Sequence, residues 1–316
     1  MKTYRYPLKS GIRRSPEFAK KRLAEFAVNV GLKCGHGCTY CSTPSTAVRC
    51  HRGFKEIGRS PFETGYAVVD PQTPDRVAAD AARIQNRGVV QLSTTTDAWS
   101  PESQKLNLGR RCLEAILGQP DWIVRVLTKN AAVAGDFNLI RRHRDRILVG
   151  LSLTGTPDRD DMLRLIEPNA SPVHERMVAL QEAHQLGLRT YGMLCPLLPG
   201  IADDPDHINV LIAFCKGIGA EEVFAEGINP RGAGLRLTEE ALRVGGFAAE
   251  ADAVGAIRHR VNRSPYVVRL VQNVQRAMRK QRMIGKLRFL LYGGDLLEQD
   301  RAAIKKDGEG VIWLGK

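Results

Sequence analysis

Six short apolar runs, at residues 26–32, 88–96, 122–130, 146–155, 189–196 and 222–228, alternate with stretches of helical periodicity. No other feature limits the fold as much. They are β-branched or apolar runs, as expected of parallel strands covered on both faces. Between them, residues 204–216 place Ile208, Leu211, Ile212 and Cys215 on one helical face, with Gly217 as a candidate C-cap. Residues 172–186 do the same with Val173, Met177 and Leu180 and stop before Gly187. Repeated strand–helix units dictate a parallel sheet with right-handed crossovers. Six of them predict an α/β fold, a partial (β/α)6 TIM-like barrel that stays open. Functional groups on such barrels gather at the C-terminal ends of the strands.

Directly after the first run stand Cys34, Cys38 and Cys41, in Gly-Leu-Lys-Cys-Gly-His-Gly-Cys-Thr-Tyr-Cys. Three thiolates spaced C-x3-C-x2-C on one loop can hold three irons of a [4Fe–4S] cluster and leave the fourth open to a small chelating molecule. Zinc is the competing reading. It needs a closed set of four ligands, for which His36 or His51 could serve, but the chain has no second C-x2-C or H-x3-H pair.

The cysteine spacing, with Tyr40 at the aromatic position, resembles the signature of the radical S-adenosylmethionine (SAM) superfamily. The resemblance implies that the SAM amino and carboxylate groups chelate the open iron, and that an electron from the cluster releases a 5′-deoxyadenosyl radical. Further segments resemble the spore photoproduct lyase branch over residues 26–231. They are the Thr-Thr-Asp stretch ending at Asp97, Val-Leu-Thr-Lys ending at Lys129, Gly-Leu-Ser-Leu-Thr around Ser152, Glu167-Pro168 and Leu197-Leu198-Pro199-Gly200. That branch implies SAM contacts from Thr96, Lys129 and Ser152. A lysine directly after a buried strand is costly unless paired, so Lys129 suits the methionine carboxylate, and Asp97 or the threonines its amino group. One departure matters. Where these lyases carry a cysteine that returns a hydrogen atom, this chain reads Ser93-Thr94-Thr95. Cys195, at the end of the fifth run, is the candidate substitute, against its alternative reading as a small buried hydrophobe. Cys112 and Cys215 fall on apolar helix faces, and Cys50 lies in a basic loop over residues 42–64.

The net charge of +13 points to a polyanionic partner. Residues 253–294 hold ten Lys or Arg and no acid, with Val267, Leu270, Val271, Val274 and Met278 at helical spacing and Arg269, Arg276, Arg279 and Lys280 elsewhere around the helix. A second cluster is Arg13, Arg14, Lys20, Lys21 and Arg22. The bland reading of both is a solvated basic face. The expected organisation is a basic arm over 1–25, a barrel over 26–231 and a basic helical cap over 232–316. The basic start has no apolar core of a secretory signal, and no run approaches the ~18 apolar residues of a membrane span. With seven cysteines in no disulfide framework, a reducing cytoplasm is expected.

Together these features predict a radical SAM enzyme acting on a thymine-derived base in nucleic acid, DNA before RNA, by rearrangement, cleavage or modification, with a flavodoxin or ferredoxin as electron donor. Two alternatives stand beside it: a radical SAM enzyme of peptides or small metabolites, and a non-catalytic iron–sulfur protein that binds nucleic acid.

Overall fold

The structure is a computed structural model and describes residues 1–46 and 48–315. In chain order its strands are β1 (Lys2–Arg5), β2 (Ile12–Arg14), β3 (Phe26–Val28), β4 (Gly31–Lys33), β5 (Tyr66–Val69), β6 (Val89–Leu92), β7 (Ile123–Thr128), β8 (Ile147–Leu151), β9 (Arg189–Thr190), β10 (Gly192–Leu197), β11 (Val223–Gly227), β12 (Leu287–Tyr292) and β13 (Val311–Leu314). β3, β6, β7, β8 and β9 pair in parallel, as do β10, β11, β12 and β13. β9 and β10 are one run broken at Tyr191, and a bridge from Ser152 to Met193 joins the two groups. β2 caps the β3 edge antiparallel. Among the described residues no ladder joins β2 to β13, so the curled sheet remains an open, partial α/β barrel.

The alternation of strand side chains sorts the core into two parts. Outward residues such as Ile147, Val149, Val223, Ala225 and Phe289 pack under the helices. Inward residues Leu148, Met193, Phe224 and Leu290 form a separate cluster within the barrel. That is why the middles of the runs read as apolar. The inward positions change character at the ends: β11 and the residue before it present Glu222, Phe224 and Glu226, and β12 presents Arg288, Leu290 and Tyr292. At the N-terminal end, Glu222 pairs with Arg125 and, at 3.1 Å, with Arg288, closing the barrel floor with charge.

Each of the six runs contains strand, and the two helices appear at Val173–Gln185 and Pro205–Gly217. Gly187 takes the left-handed conformation that ends the first. For the second that role falls to Gly219 instead of Gly217, which is the last helical residue. Residues 232–316, expected as helical, also contribute β12 and β13. The intervening helix Arg260–Lys280 is therefore a crossover that returns the chain from strand tops to strand bottoms. Its first turn holds Arg263, 3.7 Å from Asp295 beyond the top of β12. Its last turn holds Arg279, 2.8 Å from Asp307, which precedes β13. Arg276, Arg279 and Lys280 thus lie at the end of the barrel away from the strand C-termini.

The region 42–64 is not one irregular loop. It contains the helix Arg52–Glu56, whose Phe54 packs with Tyr6, Leu32, Tyr66 and Val68 on a small sheet ordered β1-β5-β4; Ala47 lies outside the described residues. Among the described residues no helix is long and apolar enough to cross a membrane.

Candidate active site

β4 ends at Lys33, and the next residue begins the cysteine loop. Cys34, Cys38 and Cys41 line a cavity of about 150 Å³ beside Lys33, Thr95 and Asn169. Burial raises the Cys34 thiol well above its ordinary range, and with Glu167 nearby it pushes Cys38 up to about 12. The loop is pinned on several sides. Gly35 N–H donates to Glu102 Oε1 at 2.9 Å, Thr39 N–H to the Ile166 carbonyl at 2.9 Å, and Asn169 Nδ2 to the Gly35 carbonyl at 2.9 Å. Gly234, opening the helix Gly234–Val244, lies so close that a Cβ there would meet the Tyr40 carbonyl oxygen at 2.9 Å.

Asp97 is the hub of this support. Its carboxylate meets His36 Nε2 at 2.9 Å and accepts from Thr128 Oγ1 at 2.8 Å, Lys129 N–H at 2.9 Å and Trp99 N–H at 2.8 Å. Burial would raise this acid, but His36 and these donors hold it below its ordinary value. With so many protein partners, Asp97 orients the loop and leaves little for a cofactor amino group. His36 is used up in the same way: Nδ1 faces the Asn169 carbonyl at 3.0 Å and the ring is 2% exposed. His51 caps its own helix by accepting from Gly53 N–H at 3.1 Å. Both ring nitrogens of His36 are thus engaged, and His51 does not line the cavity of the three cysteines.

A second buried network lies behind Cys38. Glu167 and Arg176 form an ion pair in which each side chain is 1% exposed. Tyr40 OH donates to Glu167, Thr154 Oγ1 donates to it at 3.0 Å, and Lys129 Nζ stands 3.4 Å away. Burial would raise Glu167, yet Arg176 and Lys129 hold its carboxyl down at about 2. Lys129 also donates to the Cys195 carbonyl at 3.3 Å and lies 5.5 Å from the Tyr40 ring centroid. Arg176 carries no motif that marks it in the sequence. Its position, three residues after Val173 and four before Leu180, put it on the buried helix face, and that was the one signal for it.

The remaining expected residues separate. Thr96 Oγ1 accepts from Val30 N–H at 3.1 Å. Ser152 is buried, and among the described residues its hydroxyl has no partner. Cys195 faces the barrel interior with its Sγ 3.7 Å from Glu226 Oε2, and burial with that carboxylate pushes the thiol up to about 12. Cys112 and Cys215 are fully buried under helices, and Cys50 is exposed. Trp99 is buried with its indole N–H on Asp136 at 2.8 Å, and Trp122 is core.

Among the described residues no group of three His, Cys, Asp or Glu converges as a single ion would need. Three soft thiols on separate turns of a pinned loop suit a [4Fe–4S] cluster, which takes one thiolate per iron.

Comparison with known proteins agrees. The Radical SAM superfamily profile matches residues 28–211. An uncharacterized protein of Acidianus two-tailed virus is 24% identical over 225 residues, 69% of this chain and 71% of that protein. Another, from Methanocaldococcus jannaschii, is 23% identical over 180 residues, 57% of this chain and 63% of that one. One from Mycobacterium tuberculosis is 23% identical over 210 residues, so the chain spans less than two thirds of these last two, 63% and 59%. Among solved structures, spore photoproduct lyase complexed with dinucleoside spore photoproduct superposes with a TM-score of 0.51 at 14% identity, covering 76% of this chain and 66% of the lyase. A mutant of that lyase with bound AdoMet and the same dinucleoside gives 0.53 at 13% identity, covering 76% and 66%. The similarity is one of fold. The profile match takes in more than half of the chain and all three loop cysteines, and the chain belongs to the radical SAM superfamily.

Proposed function

We propose that this chain is a radical SAM enzyme that modifies a base in nucleic acid, a thymine-derived base in DNA before others. The observation that carries this reading is a cysteine loop pinned over the open, polar end of a barrel, in a protein of net charge +13. Cys34, Cys38 and Cys41 would hold the cluster, which when loaded supplies the electron that cleaves SAM to a carbon radical. The chain's own residues do the positioning. Asp97 and His36 fix the loop, and the buried Glu167–Arg176 pair fixes Lys129 and Tyr40. Ser152 offers a free hydroxyl beside them, and Thr96 tethers the turn after β6.

Placing SAM against Lys129, Thr96, Asp97, Ser152 and Tyr40 is part of this reading, with the unpartnered Ser152 hydroxyl the most available of the five and Lys129 shared with Glu167. The lumen excludes water from below through Phe224, Met193 and Leu290, with the Arg125–Glu222–Arg288 floor beneath. Cys195 is, among the described residues, the only thiol outside the cysteine loop that faces this lumen. It is held protonated, the form a hydrogen donor needs. A base in a duplex must leave the stack to enter such a barrel. Mass spectrometry of digested host nucleosides, with and without the protein, tests the reading. A new or missing modified base supports it; identical nucleoside profiles beside a changed peptide or metabolite would move the activity to that substrate class.

A further inference from the structure

The basic arm at residues 16–22 does not reach outward as a simple phosphate grip. Phe18 and Leu23 pack with Leu290, Ile312 and Leu314 in the barrel interior, so the arm folds across the open side between β13 and β3. This brings Lys21 inside. Its ammonium is 3.5 Å from Glu226 Oε2, with side chains only 16% and 12% exposed. Tyr292, at the top of β12, lies under two cations, Lys21 at 5.5 Å and Arg231 at 5.0 Å from its ring centroid. Arg231 is exposed and, among the described residues, has no acidic partner. Cys195 is on the same wall, so the group adjoins the Lys129 network directly.

This cluster keeps open valences. An ammonium has three N–H donors; Lys21 directs one at Glu226 over a long contact and has Tyr292 as a second side-chain partner. Among the described residues Glu226 Oε1 accepts nothing. Glu226 Oε1 keeps contact with solvent, and both open valences lie at the lumen's top, where a substrate enters.

Resting on the nucleic-acid reading above, the geometry points to a base-recognition wall. Glu226 Oε1 accepts the ring N–H of a thymine-type base, and Lys21 donates to the adjacent carbonyl. Tyr292 packs against the inserted nucleotide, and Arg231 meets its phosphate. A side-by-side acceptor and donor is complementary to that N–H/C=O edge, and paired contacts of this kind discriminate bases.

The test uses the full reconstituted chain and two single-stranded probes of equal length and charge, oligothymidylate and its N3-methylated counterpart, with affinities read by fluorescence anisotropy. The unmodified probe is expected to bind about tenfold tighter, as for one good paired contact. Glu226→Leu removes the acceptor and should bring the ratio near one, whereas Lys21→Met touches a carbonyl common to both probes and should weaken both while leaving the ratio above one. The double variant E226L/K21M strands no charge, and it should likewise bring the ratio near one while keeping the wild-type melting temperature more closely. A wild-type ratio near one, a ratio preserved in folded Glu226→Leu, or affinities unchanged in Lys21→Met overturns the recognition wall. Failure of the wild type to bind either probe instead overturns the nucleic-acid reading on which it rests.

Discussion

Lys129 Nζ stands 3.4 Å from Glu167 Oε1, so the strand-end cation that a ligand was expected to pair is already held by a carboxylate of the protein. Glu167 in turn is held by Arg176, deep under the cysteine loop. The cation is thus kept at the barrel top before any substrate arrives, and its geometry depends on residues that touch no ligand themselves.

Breaking that buried pair should be costly. Glu167→Gln leaves the Arg176 guanidinium without a counter-charge and is expected to destabilise the fold by about 3–5 kcal/mol, measured by urea unfolding. Removing both charges in Glu167→Gln/Arg176→Met should cost less than the worse single change. An additive loss in the double variant would contradict the coupling.

The same carboxyl sets an acid limit. Its value is depressed from an ordinary 4.5 to about 2, so the stability it contributes is complete above the ordinary value. That contribution is lost as pH falls from 4.5 toward 2. Urea midpoints across this window should fall more steeply for wild type than for Glu167→Gln. Parallel pH profiles would show that Glu167 is not held as described.

Asp97→Asn keeps the shape of the hub but cannot accept all of its donors. The expected loss is about 2–3 kcal/mol, together with weaker retention of iron, because His36 and the turn at Thr128 lose their common anchor. Iron content after anaerobic gel filtration checks this against wild type. Full iron retention would show that the loop stands without Asp97.

Cations at the two ends of the barrel should behave differently toward DNA. Arg231→Ala/Arg260→Ala removes charge near the strand tops, and Arg276→Ala/Lys280→Ala removes it near the bottoms. Only the first should flatten the salt dependence of oligonucleotide binding, by about 0.7 in log–log slope for each single-strand phosphate that is no longer neutralised. Equal effects would favour a diffuse basic surface.

The parallel core was legible because both faces of its strands are covered, which left the middles of the six runs apolar. β12 and β13 were not. Leu287–Tyr292 follows the basic helix closely and carries Arg288, so it reads as more of the same segment, and its pairing with β11 is a long-range choice. β5 is four residues, too short for a period. In the site, the cysteines were legible from spacing alone, and Lys129 from its place after a strand. Asp97 was singled out for a cofactor, yet its partners come from three separate segments that only folding brings together. Lys21 read as surface charge because nothing in a basic run tells which member turns inward.

The central claim is that three loop thiolates hold a cluster with one iron left open for SAM. Anaerobic reconstitution with iron and sulfide, followed by dithionite and SAM, measures it directly through the 5′-deoxyadenosine formed. The wild type should produce it and Cys38→Ala should not; equal yields from both, or zinc in place of iron in the wild type, would contradict the account.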